Sequence, residues 1–505
     1  MIRPAVRPAA LSLLCAAALA GGCGNDEGGS ASSLDNALGY LPEDAPLVIA
    51  IGTDPEGGQV QSIEKILERF PFSDQVTQSI EESLTQNEVD FEKDVKPLLG
   101  NDFVVGGPDV KAIVGDSEDD QFVGAIEARD ADKLEELVKR DDTKEAGEQN
   151  GATLYKDSDG DTFAVENGVL IVAGTRDLLD AALEQRDGDG KLTAEVFEED
   201  TKGMPDDALV RMSADLEQLI AADPDTKDAQ KVEWVSALRT LGLAISFEDD
   251  RANVDFRLAT DPEGLTEEDL PIAAGPESPM VIDSAKEIGF GLRGPEQILA
   301  FAESAGQAID PAGFGDYSAG KQAIESRLDL SFEEDLLGQI ENDVSVSVGL
   351  DGTFGVRAAV KDPKALTRTL DKLGKDLPDI AESAVGEPVG YARPKRGEDF
   401  YALATADGDS VVYGVVDGVF VLANDSKRAS RLAEDETRAV DGAEGAIAMS
   451  ADPEQLVGLA VRRYGGGGIG SALGGSVFAE PLGALTGSVR AETDGLTGRL
   501  ELTFD

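Results

Sequence analysis

The 505-residue sequence contains no histidine. Ser-His-Asp and Cys-His nucleophile systems therefore cannot be assembled from this chain alone. Two cysteines are too few for an ordinary zinc site, which draws on histidine or several thiolates. Basic residues are scarce, 44 Lys+Arg against 100 Asp+Glu, which leaves a net charge of −56. A surface of that sign repels phosphate backbones and is unsuited to a basic membrane-surface helix, so no nucleic-acid partner is expected. Its first consequence is solubility. Aromatics make up only 5% of the chain, with one tryptophan, so the core must be built from Leu, Val, Ile and Ala. After the N-terminal leader no apolar run is long enough to span a bilayer. The chemistry left open is that of carboxylate pairs, lysine, Ser-Lys or a bound cofactor, and no motif calls for a cofactor.

The N-terminus is the most informative segment. Arg3 and Arg7 precede the apolar stretch Ala9 to Ala20, which has the length of a signal peptide and is too short to cross a membrane. It ends in Leu19-Ala20-Gly21-Gly22-Cys23, small residues before a cysteine as in a bacterial lipobox, with Ala20 where leucine is commoner. Cleavage before Cys23 would remove Cys15, and Cys23 could then form no intrachain disulfide. The reading is a lipoprotein signal peptide over 1–22, lipid attachment at Cys23, and a flexible tether over 23–35 that contains the polar run Gly24 to Ser33. A diacylglyceryl group with an N-acyl chain of the palmitate kind would hold the protein on the extracytoplasmic face of the cell membrane.

The rest of the chain reads as one unit written twice. Asp90-Phe91-Glu92-Lys93-Asp94-Val95, followed by Asn101-Asp102, recurs as Ser331-Phe332-Glu333-Glu334-Asp335-Leu336, followed by Asn342-Asp343. Ile80-Glu81 and Leu84 recur as Ile324-Glu325 and Leu328. The block from Asn167-Gly168 to Ala173 recurs from Asp417-Gly418 to Ala423. Met212-Ser213-Ala214-Asp215 recurs as Met449-Ser450-Ala451-Asp452. The entry Pro46-Leu47-Val48-Ile49 resembles Pro279-Met280-Val281-Ile282. Preserved order argues for a tandem duplication, with copies over 36–260 and 280–505 and a linker over 261–279.

Within each copy the spacing predicts helices and antiparallel strands. Val60, Ile63, Ile66 and Leu67 follow a helical period, and a second helix is expected through Val76, Ile80 and Leu84. A meander is expected over Thr153–Lys156, Thr162–Glu166 and Val169–Ala173, with tight turns at Asp159-Gly160 and Asn167-Gly168. A helix should start at Thr175, and hairpins should close both copies, at Ala244–Phe247 with Asn253–Leu258 and at Gly487–Ala491 with Gly498–Phe504. Strands adjacent in sequence place the fold in the α+β class, as a duplicated unit of meanders and hairpins with packed helices.

The candidate chemical motifs are weak. Asp157-Ser158-Asp159-Gly160-Asp161 lacks the glycine and glutamate that an EF-hand loop needs at its sixth and twelfth positions, and reads as an acidic turn. The glycine-rich run from Tyr464 to Ser476 has no Gly-Lys-Ser/Thr. Trp234, with Val235, Leu238 and Leu241, reads as a core residue on a helix. Among so many acids no carboxylate pair stands out. No catalytic, metal-binding or ligand-binding residue is assigned.

The lipobox, the Leu41-Pro42-Glu43-Asp44-Ala45-Pro46 entry, and the helix ending at Phe70-Pro71 after Gln61–Arg69 resemble a family of bacterial lipoproteins defined only as a domain of unknown function, number 3352. The resemblance implies near-complete coverage of the mature chain, an envelope location in a bacterium, and no functional residue. The expected function is that of a non-catalytic, membrane-anchored module that binds a protein or envelope ligand. The alternatives are a carrier with an apolar cavity for a lipid and a carboxylate-based envelope glycan hydrolase.

Overall fold

The computed structural model describes residues 30–71, 73, 90–110, 121–139, 143–157, 160–283, 286–374, 376–385, 388–394, 400–405, 410–435, 437–457 and 479–505. The chain forms two compact units. One comprises residues up to Lys227 with Leu238–Ala259 and Thr503–Asp505; the other comprises Asp228–Ala237 and Thr260–Leu502.

The first unit contains β1 (Leu47–Ile51), β2 (Phe103–Gly107), β3 (Val123–Glu127), β4 (Lys144–Gln149), β5 (Ala152–Lys156), β6 (Thr162–Glu166), β7 (Val169–Ala173), β8 (Val210–Asp215), β9 (Leu238–Glu248) and β10 (Arg251–Thr260). They lie in the order β10-β9-β8-β1-β2-β3-β7-β6-β5-β4. Its helices are α1 (Ser30–Leu38), α2 (Gly58–Leu67), α3 (Ala131–Val138), α4 (Arg176–Asp187), α5 (Ala194–Asp200) and α6 (Leu216–Ala222).

The second unit contains β11 (Val281–Ile282), β12 (Glu287–Arg293), β13 (Ile340–Gly349), β14 (Phe354–Val360), β15 (Val389–Ala392), β16 (Tyr401–Thr405), β17 (Ser410–Val416), β18 (Val419–Ala423), β19 (Thr437–Arg438), β20 (Ile447–Ala451), β21 (Leu482–Glu492) and β22 (Gly495–Phe504). Apart from the small β11–β19 pair, the order is β22-β21-β20-β12-β13-β14-β18-β17-β16-β15. Its helices are α7 (Glu233–Ser236), α8 (Pro295–Ile309), α9 (Pro311–Leu328), α10 (Phe332–Asp335), α11 (Pro363–Leu373), α12 (Leu377–Val385) and α13 (Ser426–Glu434). The fold is α+β, and the strands of the two units follow one order.

The repeated sequence blocks are local stop and start signals. Asp90 accepts from the Lys93 amide at 3.1 Å while its own amide donates to Asp94 at 2.9 Å. Ser331 does the same with the Glu334 amide, 3.2 Å, and Asp335, 2.9 Å. Asp215 and Asp452 each cap a helical turn, accepting from the Gln218 and Gln455 amides at 2.8 and 3.0 Å. Asn167-Gly168 and Asp417-Gly418 both hold positive φ at both residues, 50° and 84° against 49° and 88°, as the tight turn demands.

Four expectations shift. The tether read over 23–35 gives its last residues to α1, because Leu34 and Leu38, one turn apart, reach the core and are buried. The linker residues Leu270 and Ile272 are buried too, and Arg293 and Gln297 donate to the carbonyls of Ala274 and Leu270, each at 2.7 Å. Trp234 is buried edge-on to Phe301 at 6.3 Å, but its helix is a single turn; Leu238 and Leu241 already belong to β9, whose alternating apolar residues follow a strand period. The entry block Pro279 to Ile282 is not the counterpart of β1. By register that counterpart is β12: Ile49 faces Val105 and Met212, and Phe290 faces Val346 and Met449. The helix expected through Val76, Ile80 and Leu84, and the turn residue Asp159, lie outside the described residues.

Candidate functional site

Strand alternation gives each sheet two faces, and one of them is apolar in both units. In the first unit Leu243, Met212, Ile49, Val105, Gly124 and Val172 stand opposite one another across six strands. The next row reads Ile245, Val210, Ile51, Phe103, Ile126 and Leu170. In the second unit the matching rows run through Met449, Phe290, Val346, Val356 and Leu422, and through Ile447, Leu292, Val344, Ala358 and Phe420.

The described helices cover part of this floor, in which Phe103, Ile126 and Ala358 are buried. α3 closes the β5–β7 end of the first with Leu134 and Val138 against Tyr155 and Phe163. α11 does the same in the second with Leu366 and Leu370 against Tyr401 and Tyr413. Between them Leu47, Ile49, Val105, Met212 and Leu243 are only half-buried, as are Phe290, Val346, Val356 and Met449. Val348 and Leu500 are 43% and 40% exposed. Apolar surface left in water costs about 25 cal/mol per Å². Met212 and Met449 occupy the same register, on the strands beside β1 and β12, where a flexible thioether conforms to varied shapes.

The opposite faces differ between the copies. In the first unit Val48, Ala50, Val104 and Ile171 are sealed by α1, α4 and α5, with Leu38, Leu183 and Phe197 fully buried. In the second the matching positions are Gly289, Gly291, Ser345 and Val421, and a buried ion pair lies on the same face. Arg428, 4% exposed, pairs with buried Glu287, donates to Ser347 Oγ at 2.6 Å, and reaches Asp435 at 3.3 Å. The counterparts of Arg428, Glu287 and Ser347 by cap and register are Leu178, Pro46 and Gly106. Gly289 and Gly291 let β11 cross this face. A Cβ at either would stand 2.8 Å from the Ile282 carbonyl or 2.6 Å from that of Met280. Beside β11 and β19 opens a cleft of about 570 Å³ lined by Met280, Glu341, Asp343, Ser345, Arg357, Lys361 and Thr437, among others. The first unit carries a different, more open hollow at Glu92, Lys96, Arg129 and Asp130, where Lys96 already pairs with Glu92 at 3.2 Å.

The shifted carboxyls are scattered. Burial raises Asp102 against the pull of Arg211, 3.4 Å away, and raises Asp343 against the Met280 amide and Arg293. Asp200 is pushed up to about 6 by burial first, then by Asp215 and Glu199. Asp215 is occupied as a helix cap. A carboxyl whose folded pKa lies above its unfolded value near 3.9 disfavours the folded state when ionised, so its contribution improves as pH falls from about 6 to about 4. Asp200→Asn is therefore expected to raise the urea midpoint more at about pH 7.5 than at about pH 4.5. An equal effect at both would contradict the assignment.

Cys23 and the run Tyr464 to Ser476 lie outside the described residues. Asp157 accepts from the Gly160 and Asp161 amides, each at 2.8 Å, so its carboxylate is engaged locally. Among the described residues no cluster of three metal-binding side chains occurs, and no helix is long and apolar enough to cross a membrane. Sequence reading missed the floor, although the repeated methionine on it was visible, and missed the cleft, whose residues lie outside the repeated blocks apart from Met280 and Asn342-Asp343.

Solved structures similar to this chain include crystal form III of TP0453, at 10% identity and a TM-score of 0.24, covering 46% of this chain and 82% of that one. Crystal form IV of TP0453 matches at 12% identity and a TM-score of 0.25, covering 45% and 81%. No curated protein matches the chain. A family model described as "Protein of unknown function (DUF3352)" matches residues 8–288, stopping at the start of β12 rather than running to the end of the mature chain. That match spans more than half of the sequence, and the chain belongs to this family.

Proposed function

We propose that the protein is an extracytoplasmic lipoprotein, anchored to the cell membrane through Cys23, whose two units bind hydrophobic ligands without catalysis. The half-buried apolar floor, repeated at equivalent register in both units, carries the ligand reading. It supports the carrier alternative over a general interaction module, because the floor contains no polar group that would fix a protein partner's orientation. Its breadth, six strands at about 4.8 Å, gives roughly 24 Å of apolar surface in the first unit, suited to an extended aliphatic chain. The lipobox and the signal-like leader support the anchor.

Cys23→Ala should move the protein from the membrane fraction to the soluble fraction. The soluble full-length variant should take up cis-parinaric acid with a rise in fluorescence. Unchanged membrane retention removes the anchor from this account, and absence of uptake removes the ligand.

A glycan hydrolase has one observation in its favour: Glu341 and Asp343 line the same cleft. Their counterparts by register are Gly100 and Asp102, so the pair exists in one copy only. That reading predicts cleavage of purified cell-wall glycan which stops in Asp343→Asn.

A further inference from the structure

We propose that the cleft of the second unit is a separate polar site for a small zwitterion, a molecule carrying an ammonium group at one end and a phosphate or carboxylate at the other. The site lies on the sheet face opposite the apolar floor, so it does not rest on the hydrophobic-ligand reading. Its floor is made by β13 and β14. Asp343 and Ser345 are two apart on β13, and Arg357 stands directly opposite Ser345 on β14. Glu341 and Lys361 are exposed at the rim.

The wall positions a charged fork. Arg357 Nε donates to the Leu432 carbonyl at 3.1 Å, which fixes the guanidinium plane. Its two terminal nitrogens have no partner among the described residues, and Asp343 accepts from the Met280 amide rather than pairing with it. Ser345 is held by donation to the Met280 carbonyl at 2.8 Å. A half-buried arginine with two open donors matches a planar or tetrahedral oxyanion. A half-buried carboxylate on the adjacent strand matches a cation. Both belong to a cleft of about 570 Å³, room for a small molecule.

Divergence between the copies is the second line of support. Ser345 and Arg357 replace Val104 and Ala125, which are buried in the sealed apolar core of the first unit. Polar groups set into such a face are unfavourable unless something pairs with them. The choice of zwitterion over plain anion follows from charge. The lining pairs two cations, Arg357 and Lys361, with two acids, Glu341 and Asp343, which matches a ligand carrying both signs rather than an anion alone.

The test titrates the full chain carrying Cys23→Ala with O-phosphoethanolamine and with β-alanine by calorimetry. At least one should bind, with inorganic phosphate and ethylammonium each at least tenfold weaker. Arg357→Gln and Asp343→Asn should each weaken the zwitterion at least tenfold. Arg357→Lys, which keeps the charge but loses the fork, should weaken it as well while preserving the circular dichroism of the parent. cis-Parinaric acid uptake should be unchanged in all three, which separates this site from the apolar floor. Vesicles of phosphatidylethanolamine, compared with phosphatidylglycerol, then distinguish a lipid headgroup from a free solute. Phosphate binding as tightly as the zwitterion, or no binding of either zwitterion, would overturn the proposal.

Discussion

Replacing Arg428 with methionine should destabilise the second unit by about 3–5 kcal/mol, the range for removing one partner of a buried ion pair. The guanidinium is almost wholly enclosed, and the substitution leaves the Glu287 carboxylate uncompensated in a site with little access to water. Ser347 and Asp435 lose their donors as well. The paired replacement Arg428→Met with Glu287→Met should recover most of the loss, because an apolar pair of similar volume needs no counter-charge. The first copy already shows that this position tolerates an apolar solution, since Leu178 and Pro46 stand there. Urea unfolding of the single and double variants measures both effects. A single variant within about 1 kcal/mol of the parent would mean that the pair is hydrated and unimportant.

Met212→Glu should remove one of two equivalent ligand sites, Met449→Glu the other, and the double variant both. Each methionine lies on its floor, opposite Ile49 or Phe290. A carboxylate there would be buried beneath an aliphatic chain without a partner, which is strongly unfavourable. In the empty protein the position is half-buried, so the charge can reach water and the fold should persist, as checked by circular dichroism. Met212→Gln and Met449→Gln, close in size but neutral, should give a graded loss. Stoichiometry from parinaric acid titration should fall from two to one to none. Two sites surviving in the double variant would place the ligand elsewhere.

The repeated blocks were legible because cap and turn residues are read locally. Asp215, Asp452, Asn167-Gly168 and Asp417-Gly418 need only their immediate neighbours to act. The meander strands β5, β6 and β7 were legible for the same reason. What was not legible depended on register. The match between Pro46-Leu47-Val48-Ile49 and Pro279-Met280-Val281-Ile282 is good as a string, yet pairing with β13 and β20 makes β12 the counterpart of β1. Nothing local distinguishes Ile288-Gly289-Phe290-Gly291-Leu292 as that strand, since its glycines are there for β11 crossing above. The ion pair joins Glu287 and Arg428, 141 residues apart, and the cleft brings Met280 and Thr437 to β13 and β14. Such juxtapositions exist only once the sheet has formed.

The most direct measurement is mass spectrometry of an organic extract from the tagged full-length protein purified from envelope in mild detergent, alongside its Cys23→Ala variant from the soluble fraction. The account predicts aliphatic lipid in both preparations beyond any attached at Cys23, up to two molecules per chain, and its depletion in Met212→Glu with Met449→Glu. A soluble variant that is free of lipid as isolated, and stays so after incubation with fatty acid, would contradict it.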